Sequence, residues 1–446
     1  MKQSFYGGVH PNDRKELARH KEVAPLSAAP KQVVIAMAMH VGAPCKPIVA
    51  VGDQVKVGQK IGEIAGLGAP IHASVSGVVK AVEPRPYVGG GKVMSVVIEN
   101  DFQDTWGSVL TPHPDYSKLS CEEIVEIVKE AGITGMGGAG FPTHVKITSG
   151  IGKVNTVIIN GAECEPYITG DHRTMLERPE EIIGGAKFLA KMFGVDKVVI
   201  GVEDNKRNGI DAMNKVIAEQ KAPVVVEPLR CRYPQGGEKQ LCQAITGRQV
   251  PPGGLPADIG CAVFNINTTC AIYRALTTSM PVVRKIVTVS GSGVVEPKNL
   301  ECPIGTPVSS LLDACGGLKD GTYKLIAGGP MMGMAQYTAD ISVAKGTGAI
   351  LAFCENEEKT VENPQCIRCG KCVSVCPMHL EPLFMYQYAS KGMVEELNDA
   401  HIMDCMECGA CSYICPARMH LTHMFKTGKQ LVKDKAAADR AAAEAK

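Results

Sequence analysis

The chain has 446 residues and a formal charge of +1, with 45% hydrophobic and 21% charged residues. This length exceeds one ordinary domain, so we expect three or four, and the near-neutral charge argues against a polyanionic partner such as nucleic acid. The polar residues 1–20 predict no signal peptide, and no stretch approaches the ~18 consecutive apolar residues of a membrane span. Any attachment to a membrane is therefore expected to depend on partners.

The first predicted elements are short strands between residues 31 and 100. Val33–Met39 is apolar, and Ile71–Val79 follows the glycine-punctuated stretch Gly52–Gly62. This pattern resembles the half-barrels of the biotinyl/lipoyl domain family, in which a lysine at a hairpin tip carries the cofactor. No lysine occurs from Ile61 to Val79, so we expect a structural or docking role for this domain.

Helices and strands alternate between residues 121 and 230. Cys121–Ala131 places its apolar residues on one face and predicts an amphipathic helix. The predicted elements that follow are the strand Lys153–Asn160, the helix Glu180–Phe193, the strand Lys197–Val202, the helix Asn208–Gln220 and the strand Val224–Val226. This order predicts a largely parallel α/β sheet. Residues 284–350 return to short strands, at Ile286–Ser290 and Tyr323–Ala327, and resemble the small β-grasp modules found beside flavin domains.

A glycine string with the pattern G-x-G-x-x-G follows the first predicted helix. Its glycines are Gly135, Gly137, Gly138 and Gly140. A dinucleotide fingerprint follows a strand and opens a helix, so the standard Rossmann interpretation fails in this context. Successive glycines still expose backbone N–H groups that can cradle a phosphate. From this loop alone, a phosphate site and a plain turn both remain open.

Two runs of cysteines near the C-terminus share the spacing C-x-x-C-x-x-C-x-x-x-C-P. Three cysteines of such a run wrap one cubane, and in paired modules the fourth ligates the other cluster. Cluster 1 is therefore predicted to take Cys366, Cys369, Cys372 and Cys415, and cluster 2 to take Cys405, Cys408, Cys411 and Cys376. Two zinc sites are the alternative, but zinc ligands usually come as separated pairs. The spacing thus favours two [4Fe–4S] clusters.

Four segments in a fixed order carry a resemblance to a known family. They are Gly135–Lys146, Asn160–Pro166, Tyr233–Glu238 and Asn265–Thr268. They resemble, in that order, the FMN loop and the later flavin and nicotinamide segments of the NADH-binding flavoprotein subunit of respiratory complex I. With the half-barrel and the two cysteine runs added, the chain is similar over nearly its whole length to the RnfC family, whose members are subunits of the Rnf electron transport complex.

The resemblance implies non-covalent FMN, with NAD(H) as substrate, and assigns roles to individual residues. The four glycines would surround the FMN phosphate and ring, with Phe141 and Lys146 beside the nicotinamide cleft. Hydrogen bonds to the flavin would come from Asn160, Asn265 and Thr268. The pocket through which NADH enters would be lined by Glu163, Glu165, Gly236 and Glu238. Taken singly, each residue has an ordinary alternative, such as a solvated loop acid for the glutamates.

This sequence departs from the complex I pattern at three places. Ala162 stands where that family has an aspartate, and Gly237 where it has a second acid. The family's following loop holds a lysine, whereas Gly247–Asp258 offers only Arg248. The contacts with the dinucleotide are therefore expected to differ more than those with the flavin.

We expect a multidomain α/β protein. The predicted parts are an N-terminal lipoyl-like β half-barrel (1–110), a Rossmann-like FMN/NADH-binding α/β domain (115–280), a β-grasp, SLBB-like module (281–355), a helical ferredoxin-like domain with two clusters (356–425), and an Ala-rich charged tail (426–446).

The resemblance implies a peripheral subunit of an ion-translocating ferredoxin:NAD oxidoreductase, on the cytoplasmic face of the cell membrane. A flavin is required there because a hydride carries two electrons and a cubane accepts one. Its partners would be the other subunits and NADH, with ferredoxin reached indirectly. One alternative is the diaphorase subunit of a soluble NAD-linked hydrogenase or formate dehydrogenase. A carrier or scaffold with clusters and no flavin is the other.

Overall fold

The computed structural model describes residues 4–107, 118–355 and 361–444. The N-terminal domain is built of short strands in two antiparallel sheets, ordered β2-β8-β7-β4 and β3-β5-β6. The strands of this part are β1 (Ala24–Pro25), β2 (Gln32–Ala36), β3 (Lys46–Pro47), β4 (Gln54–Val55), β5 (Lys60–Glu63), β6 (Ile71–His72), β7 (Gly77–Pro86) and β8 (Lys92–Asn100).

The segment Ile71–Val79, in which the sequence predicts a turn at Ser76-Gly77, is divided between β6 and β7. β7 begins at Gly77, where the φ angle is +150° and a Cβ would collide with the carbonyl oxygen of Glu99. Only glycine permits so close a backbone approach, so β7 can lie against β8 from its first residue.

The second domain alternates helices with the strands of a four-stranded sheet. Its elements are α1 (Cys121–Glu130), α2 (Thr143–Gly150), β9 (Thr156–Asn160), α3 (Gly170–Glu177), α4 (Pro179–Phe193), β10 (Val198–Glu203), α5 (Arg207–Gln220), β11 (Val224–Leu229), α6 (Glu238–Thr246), β12 (Cys261–Asn265) and α7 (Ile266–Thr278). The sheet order is β11-β10-β9-β12, and every neighbouring pair is parallel, which confirms the parallel sheet expected from the alternation.

Local signals explain where the first helix of this domain begins and which face it buries. Ser120 accepts a hydrogen bond from Glu123 N and the Glu123 side chain accepts one from Ser120 N, which forms a capping box. Ile124, Ile127 and Val128 are buried on one face. They join an apolar core that also includes residues of the N-terminal domain, so the two domains pack on each other.

The third domain contains a six-stranded sheet of order β1-β14-β13-β17-β15-β16. Its own elements are β13 (Arg284–Ser290), β14 (Lys298–Pro303), α8 (Val308–Ala314), β15 (Thr322–Ala327), β16 (Met334–Gln336) and β17 (Ala349–Cys354). The remaining edge strand, β1, comes from the N-terminal segment and pairs in parallel with β14.

The C-terminal domain is helical. It comprises α9 (Lys371–Ser374), α10 (Pro382–Lys391), α11 (Val394–Asp399), α12 (Ala410–Ile414) and α13 (Leu421–Glu444). Met385, Leu397, Ile402 and Phe425 form its apolar centre. The predicted Ala-rich tail continues α13 as an exposed helix to Glu444. Within the described residues, no helix combines the length and the apolar character that crossing a membrane requires.

Candidate functional site

The carboxyl ends of β9 and β12 form a crevice in the middle of the parallel sheet. The chain runs from β9 outward through β10 to β11 and then returns to place β12 on the other side of β9. Such a reversal is a topological switch point, and ligands of open α/β sheets bind outside it. Both strands end on an asparagine, and Asn160 and Asn265 are paired in register. The sheet thus brings together two of the predicted flavin ligands.

The glycine loop lies against this crevice. The backbone N–H of Met136 donates to Thr268 Oγ1 at 3.0 Å, and a Cβ on Gly137 would lie 2.7 Å from Asn265 Nδ2. A Cβ on Gly138 would meet no protein atom within 4 Å. The loop is therefore closely packed at Gly137 and open at Gly138, and Thr268 fixes its backbone.

The segment 233–238 closes the crevice from another side. Asn160 Nδ2 donates to the carbonyl oxygen of Gly236 at 2.8 Å, and Gly236 N donates to Cys164 Sγ at 3.3 Å. Lys146 donates to Glu238 Oε1 at 2.8 Å and to the carbonyl oxygen of Val263 at 2.9 Å. The structure therefore joins Lys146 and Glu238 in one partly exposed ion pair beside the glycine loop.

Phe141 belongs to the same loop and closes it. Its carbonyl oxygen accepts a hydrogen bond from Gly135 N at 2.9 Å, and its side chain is half-buried. Gly140, immediately before it, has a φ of +72°. Its carbonyl oxygen accepts a hydrogen bond from Val41 N of the N-terminal domain at 3.1 Å. The N-terminal domain thus braces one end of the glycine loop.

The two glutamates predicted to line the NADH pocket bind backbone groups of the protein. Glu163 Oε1 accepts from Asp171 N at 2.6 Å and from His172 N at 3.3 Å, at the start of α3. Glu165 accepts from Met331 N at 3.1 Å and Met332 N at 2.9 Å in the third domain. Burial raises the pKa of the Glu165 carboxyl to about 7. Both side chains therefore hold the walls of the crevice together.

Two charged residues near the glycine loop were missed by the sequence interpretation. The Asp171 carboxylate accepts hydrogen bonds from Asn265 Nδ2, at 3.0 Å, and from Asn267 Nδ2. Lys285 donates to the carbonyl oxygen of Met136 at 3.2 Å. Burial raises the pKa of Asp171 to about 6 and lowers that of Lys285 to about 8. The position of Asp171 just after the Asn160–Pro166 segment was a usable signal, whereas nothing in the local sequence marks Lys285.

Thiols of the two cysteine runs lie near one another in the C-terminal domain. Burial raises the pKa of the Cys372 thiol, and the nearby thiols of Cys415 and Cys366 raise it further. Burial likewise raises the pKa of Cys408 and Cys411 to about 12, and the nearby thiols of Cys405 and Cys376 raise it further. Cys376 thus lies with the first three cysteines of the second run, and Cys415 lies near Cys372 and Cys366 of the first, while crossed ligation of the two clusters stays a prediction.

The set formed by Cys376, Cys405, Cys408 and Cys411 lines a cavity that also includes Met378, Leu380 and Phe425. Four sulfurs around one apolar space fit a cubane, whose thiolate ligands surround four irons. Within the described ranges, no three His, Cys, Asp or Glu side chains are grouped so that they could hold a single metal ion.

This buried set also contacts the segments around the crevice at the ends of β9 and β12. The Tyr233 hydroxyl donates to the carbonyl oxygen of Cys408 at 2.6 Å. Gln240 Nε2 donates to the carbonyl oxygen of Pro377 at 3.2 Å. Tyr233 and Cys408 share a small apolar cluster with Cys164, which bonds the backbone of Gly236. The buried cysteine set therefore lies next to the segment that closes the crevice.

Four family models match consecutive parts of the chain. They are the RnfC barrel sandwich hybrid domain at residues 3–103, the Nuo51 FMN-binding domain at 128–274, the SLBB domain at 286–335 and a 4Fe-4S dicluster domain at 359–416. These matches confirm the predicted cofactors, which are FMN and two [4Fe–4S] clusters. They also confirm, at this level of detail, the predicted multidomain α/β organisation.

Relatives resemble the chain along most of its length. The subunit designated C of the Na⁺-translocating ferredoxin:NAD⁺ oxidoreductase complex of Acetobacterium woodii is 44% identical over 403 residues, which are 90% of each chain. Its counterpart in the proton-translocating ferredoxin:NAD⁺ oxidoreductase complex of Clostridium ljungdahlii is 42% identical over 405 residues, 90% of this chain and 88% of that one. The counterpart in the ion-translocating oxidoreductase complex of Vibrio cholerae is 37% identical over 90% of this chain, which spans 52% of that longer relative.

Among solved structures, an NAD⁺-reducing [NiFe]-hydrogenase in the air-oxidized state matches with a TM-score of 0.51 and 19% identity, over 70% of this chain and 64% of that chain. At that identity the likeness concerns the fold alone. The identities of 37–44% over 90% of the chain carry more weight. By these relatives and domain matches, the chain belongs to the RnfC family of subunits in ion-translocating ferredoxin:NAD oxidoreductase (Rnf) complexes.

Proposed function

We propose that this chain transfers electrons between NADH and the partner subunits of a membrane-bound, ion-translocating complex, on whose cytoplasmic side it is attached. FMN supplies the conversion between the hydride of NADH and single electrons, so that one NADH yields NAD⁺, a proton and two electrons for the clusters. The observation that carries this proposal is the contact of the buried cysteine set with the segment 233–236 that closes the flavin crevice.

We propose that the crevice at the ends of β9 and β12 holds FMN. Asn160 and Asn265 present amide groups there, and the N–H groups of the glycine loop lie beside them. Gly138 supports this proposal most directly because its Cβ position is unoccupied by protein atoms. A ligand can therefore approach the backbone closely at that residue. Thr268 and Lys285 hold the loop in place through the N–H and carbonyl groups of Met136.

The nicotinamide is assigned to the side of the loop where Phe141, Lys146 and Glu238 meet. Lys146 is held by Glu238 and by the backbone of Val263, so its charge is fixed in position. Glu163 and Glu165 contribute by fixing the backbone of α3 and of the 331–332 turn. Their carboxylates thus shape the pocket, and direct contact with NADH is expected mainly at Lys146 and Glu238.

The cluster predicted at Cys366, Cys369, Cys372 and Cys415 is assigned to exchange electrons with partner subunits. Electrons reach ferredoxin through those subunits. Cys366 and Cys369 are exposed, and so are the neighbouring Ile367, Arg368 and Lys371. Exposed ligands let a partner's redox centre come close to this cluster. The basic side chains favour a partner with an acidic face. We also propose that the chain is divided into the five parts expected from the sequence, and that the β half-barrel has a structural role.

Replacement of Gly138 tests the flavin site. The full chain is prepared anaerobically with FMN and iron, and Gly138→Ala and Gly138→Val are compared. Since no protein atom lies within 4 Å of the added Cβ, the fold and the iron content should stay unchanged. FMN affinity should fall with side-chain size, by at least about tenfold for valine, which is about 1.4 kcal/mol. Binding is measured by fluorescence titration, and an equal affinity in all three proteins would contradict the proposed site.

A further inference from the structure

We propose that residues 5–9, here called the N-terminal strap, are a positioning element that fixes the buried cysteine set against the flavin crevice. This inference rests on the proposed function, because it assigns the strap a role in electron transfer between the two sites. The strap consists of Phe5, Tyr6, Gly7, Gly8 and Val9. It lies between the α/β domain and the C-terminal domain and contacts both.

On one side the strap contacts the end of the first cysteine run. Gly8 N donates to the carbonyl oxygen of Val375 at 2.8 Å. A Cβ on Gly7 would lie 2.9 Å from the carbonyl oxygen of Cys376, which is a predicted ligand of the buried set. The ring of Tyr6 stacks on His379 with 4.8 Å between centroids. The strap backbone therefore lies directly on the turn that presents Cys376.

On the other side the strap pairs with the segment that closes the crevice. Val9 N donates to the carbonyl oxygen of Tyr233 at 2.8 Å, and Tyr233 N donates to that of Val9 at 2.9 Å. Arg232 donates to the carbonyl oxygen of Phe5 at 3.0 Å and lies over the Phe5 ring, 5.5 Å from its centroid. Tyr233 is thus held at its backbone by the strap, while its hydroxyl bonds the carbonyl oxygen of Cys408.

Two consecutive glycines make this double contact possible. Gly7 and Gly8 have φ angles of +79° and +80°, a region that L side chains rarely adopt. A Cβ on Gly8 would lie 2.5 Å from the carbonyl oxygen of Tyr233. Since each glycine allows one neighbouring backbone to approach, the strap sets the separation between Tyr233 and Cys376. The cluster held by Cys376 is then fixed at one distance from the crevice.

The test compares Gly8→Ala with Gly52→Ala in the full chain loaded with FMN and iron. Gly52 also has a positive φ, +98°, but a Cβ there would meet nothing within 4 Å, so this control carries the same backbone strain without the contact. Four quantities are measured: FMN and iron content, the rate of flavin bleaching by NADH, the rate of cluster reduction by NADH, and hydrogen exchange of the strap amides at residues 8 and 9, which donate to Val375 and Tyr233.

In Gly8→Ala we expect unchanged cofactor content and flavin bleaching, faster hydrogen exchange of the strap amides at residues 8 and 9, and slower reduction of the clusters. A displacement of about 1 Å at a reacting geometry can cost on the order of a hundredfold in rate, so a decrease of about ten- to a hundredfold is expected. Gly52→Ala should match the unsubstituted chain in all four quantities. A merely structural strap would change hydrogen exchange but leave cluster reduction at its normal rate, and that result would overturn the inference.

Gly7→Ala serves where Gly8→Ala does not fold. Its Cβ would lie 2.9 Å from the carbonyl oxygen of Cys376 and so alters the other backbone contact. Slower cluster reduction with intact cofactors supports the strap, and an unchanged rate overturns it. The proposed function is tested separately by the unsubstituted chain. If dithionite reduces its clusters but NADH does not, the proposed function fails, whatever the variants show.

Discussion

Cys366 and Cys369 of the first cysteine run are exposed, whereas Cys408 and Cys411 of the second are 7% and 8% exposed. The two runs have the same spacing, so the motif itself does not determine this difference. It arises because the second run packs against Tyr233 and the third domain, while the part of the first run around Cys366 and Cys369 faces solvent. One repeated motif thus provides an inward-facing site and an outward-facing site. We therefore expect electrons from NADH to reach the inward-facing cluster before the outward-facing one.

Serine substitution of the fourth cysteine in each run tests whether the two sets are separate and crossed. Cys415→Ser should remove the exposed cluster and lower the iron content from about eight to about four per chain. Cys376→Ser should remove the buried cluster instead. Electron paramagnetic resonance of dithionite-reduced protein distinguishes the two signals. Loss of the cluster bound by Cys405–Cys411 in Cys415→Ser would show that each run binds its own fourth cysteine.

The inward and outward assignments predict unequal effects on reduction by NADH. Cys372→Ser removes a ligand of the exposed set, so the buried cluster should still be reduced by NADH at its normal rate. Cys411→Ser removes a ligand of the buried set, so the exposed cluster should be reduced by dithionite but only slowly by NADH. Freeze-quenched spectra after mixing with NADH measure both rates. If NADH reduced the buried cluster of Cys372→Ser and the exposed cluster of Cys411→Ser at equal rates, the assigned order of electron transfer would be wrong.

Chelation kinetics provide a milder test of the same difference in burial. Iron of the exposed set should be removed faster than iron of the buried set when the anaerobic protein is incubated with an excess of chelator. Tyr233→Phe deletes the hydroxyl that bonds the carbonyl oxygen of Cys408, a loss of about 1 kcal/mol. That variant should accelerate iron loss only at the buried set. Uniform acceleration at both sets would mean that Tyr233 stabilises the whole domain.

The most gradual expected effect, spread over several pH units, concerns Glu165, which connects the crevice to the third domain beside the buried set. Burial raises the pKa of its carboxyl from 4.5 to about 7, so the folded state holds the proton more tightly than the unfolded state does. The resulting stability is fully present below about pH 4.5 and is lost as the pH rises through 7, on the order of 3 kcal/mol in total.

Glu165→Gln removes this titration. The free energy of unfolding, measured in urea between pH 5 and pH 8, should fall with pH more steeply in the unsubstituted chain than in the variant. Parallel curves would show that Glu165 has an ordinary pKa in the folded protein.

The sequence predicted the residues whose position follows from local pattern. Asn160 and Asn265 end buried strands, and the spacing of the cysteines determines how many can reach one cluster. The positions of Glu163 and Glu165 were not predictable in the same way. Glu163 adopts a φ of +46° and caps α3, and the partners of Glu165 lie 166 and 167 residues away. Contacts of that kind depend on how domains pack, which local periodicity does not encode.

Buried charges were missed for a related reason. Lys285 and Lys15 are 5% and 3% exposed, although lysine is almost never fully buried unless it is paired. Lys15 is held by the carbonyl oxygens of Glu165 and Ile168, and Lys285 by that of Met136. Each acceptor belongs to a segment distant in the sequence, so the lysine and its partner cannot be recognised before the fold is known.

The N-terminal strap and β1 both pair with segments that are made much later, which affects how the chain folds during synthesis. Gly8 emerges from the ribosome early, but its partner Val375 is made only after the α/β domain and the whole third domain. Contacts between residues so far apart in sequence close large loops and form late. Until then, Tyr233 can pair with Val9, but its hydroxyl lacks the carbonyl oxygen of Cys408. We therefore expect the α/β domain to fold first and the cluster domain to dock last, so that docking sets the overall rate of maturation.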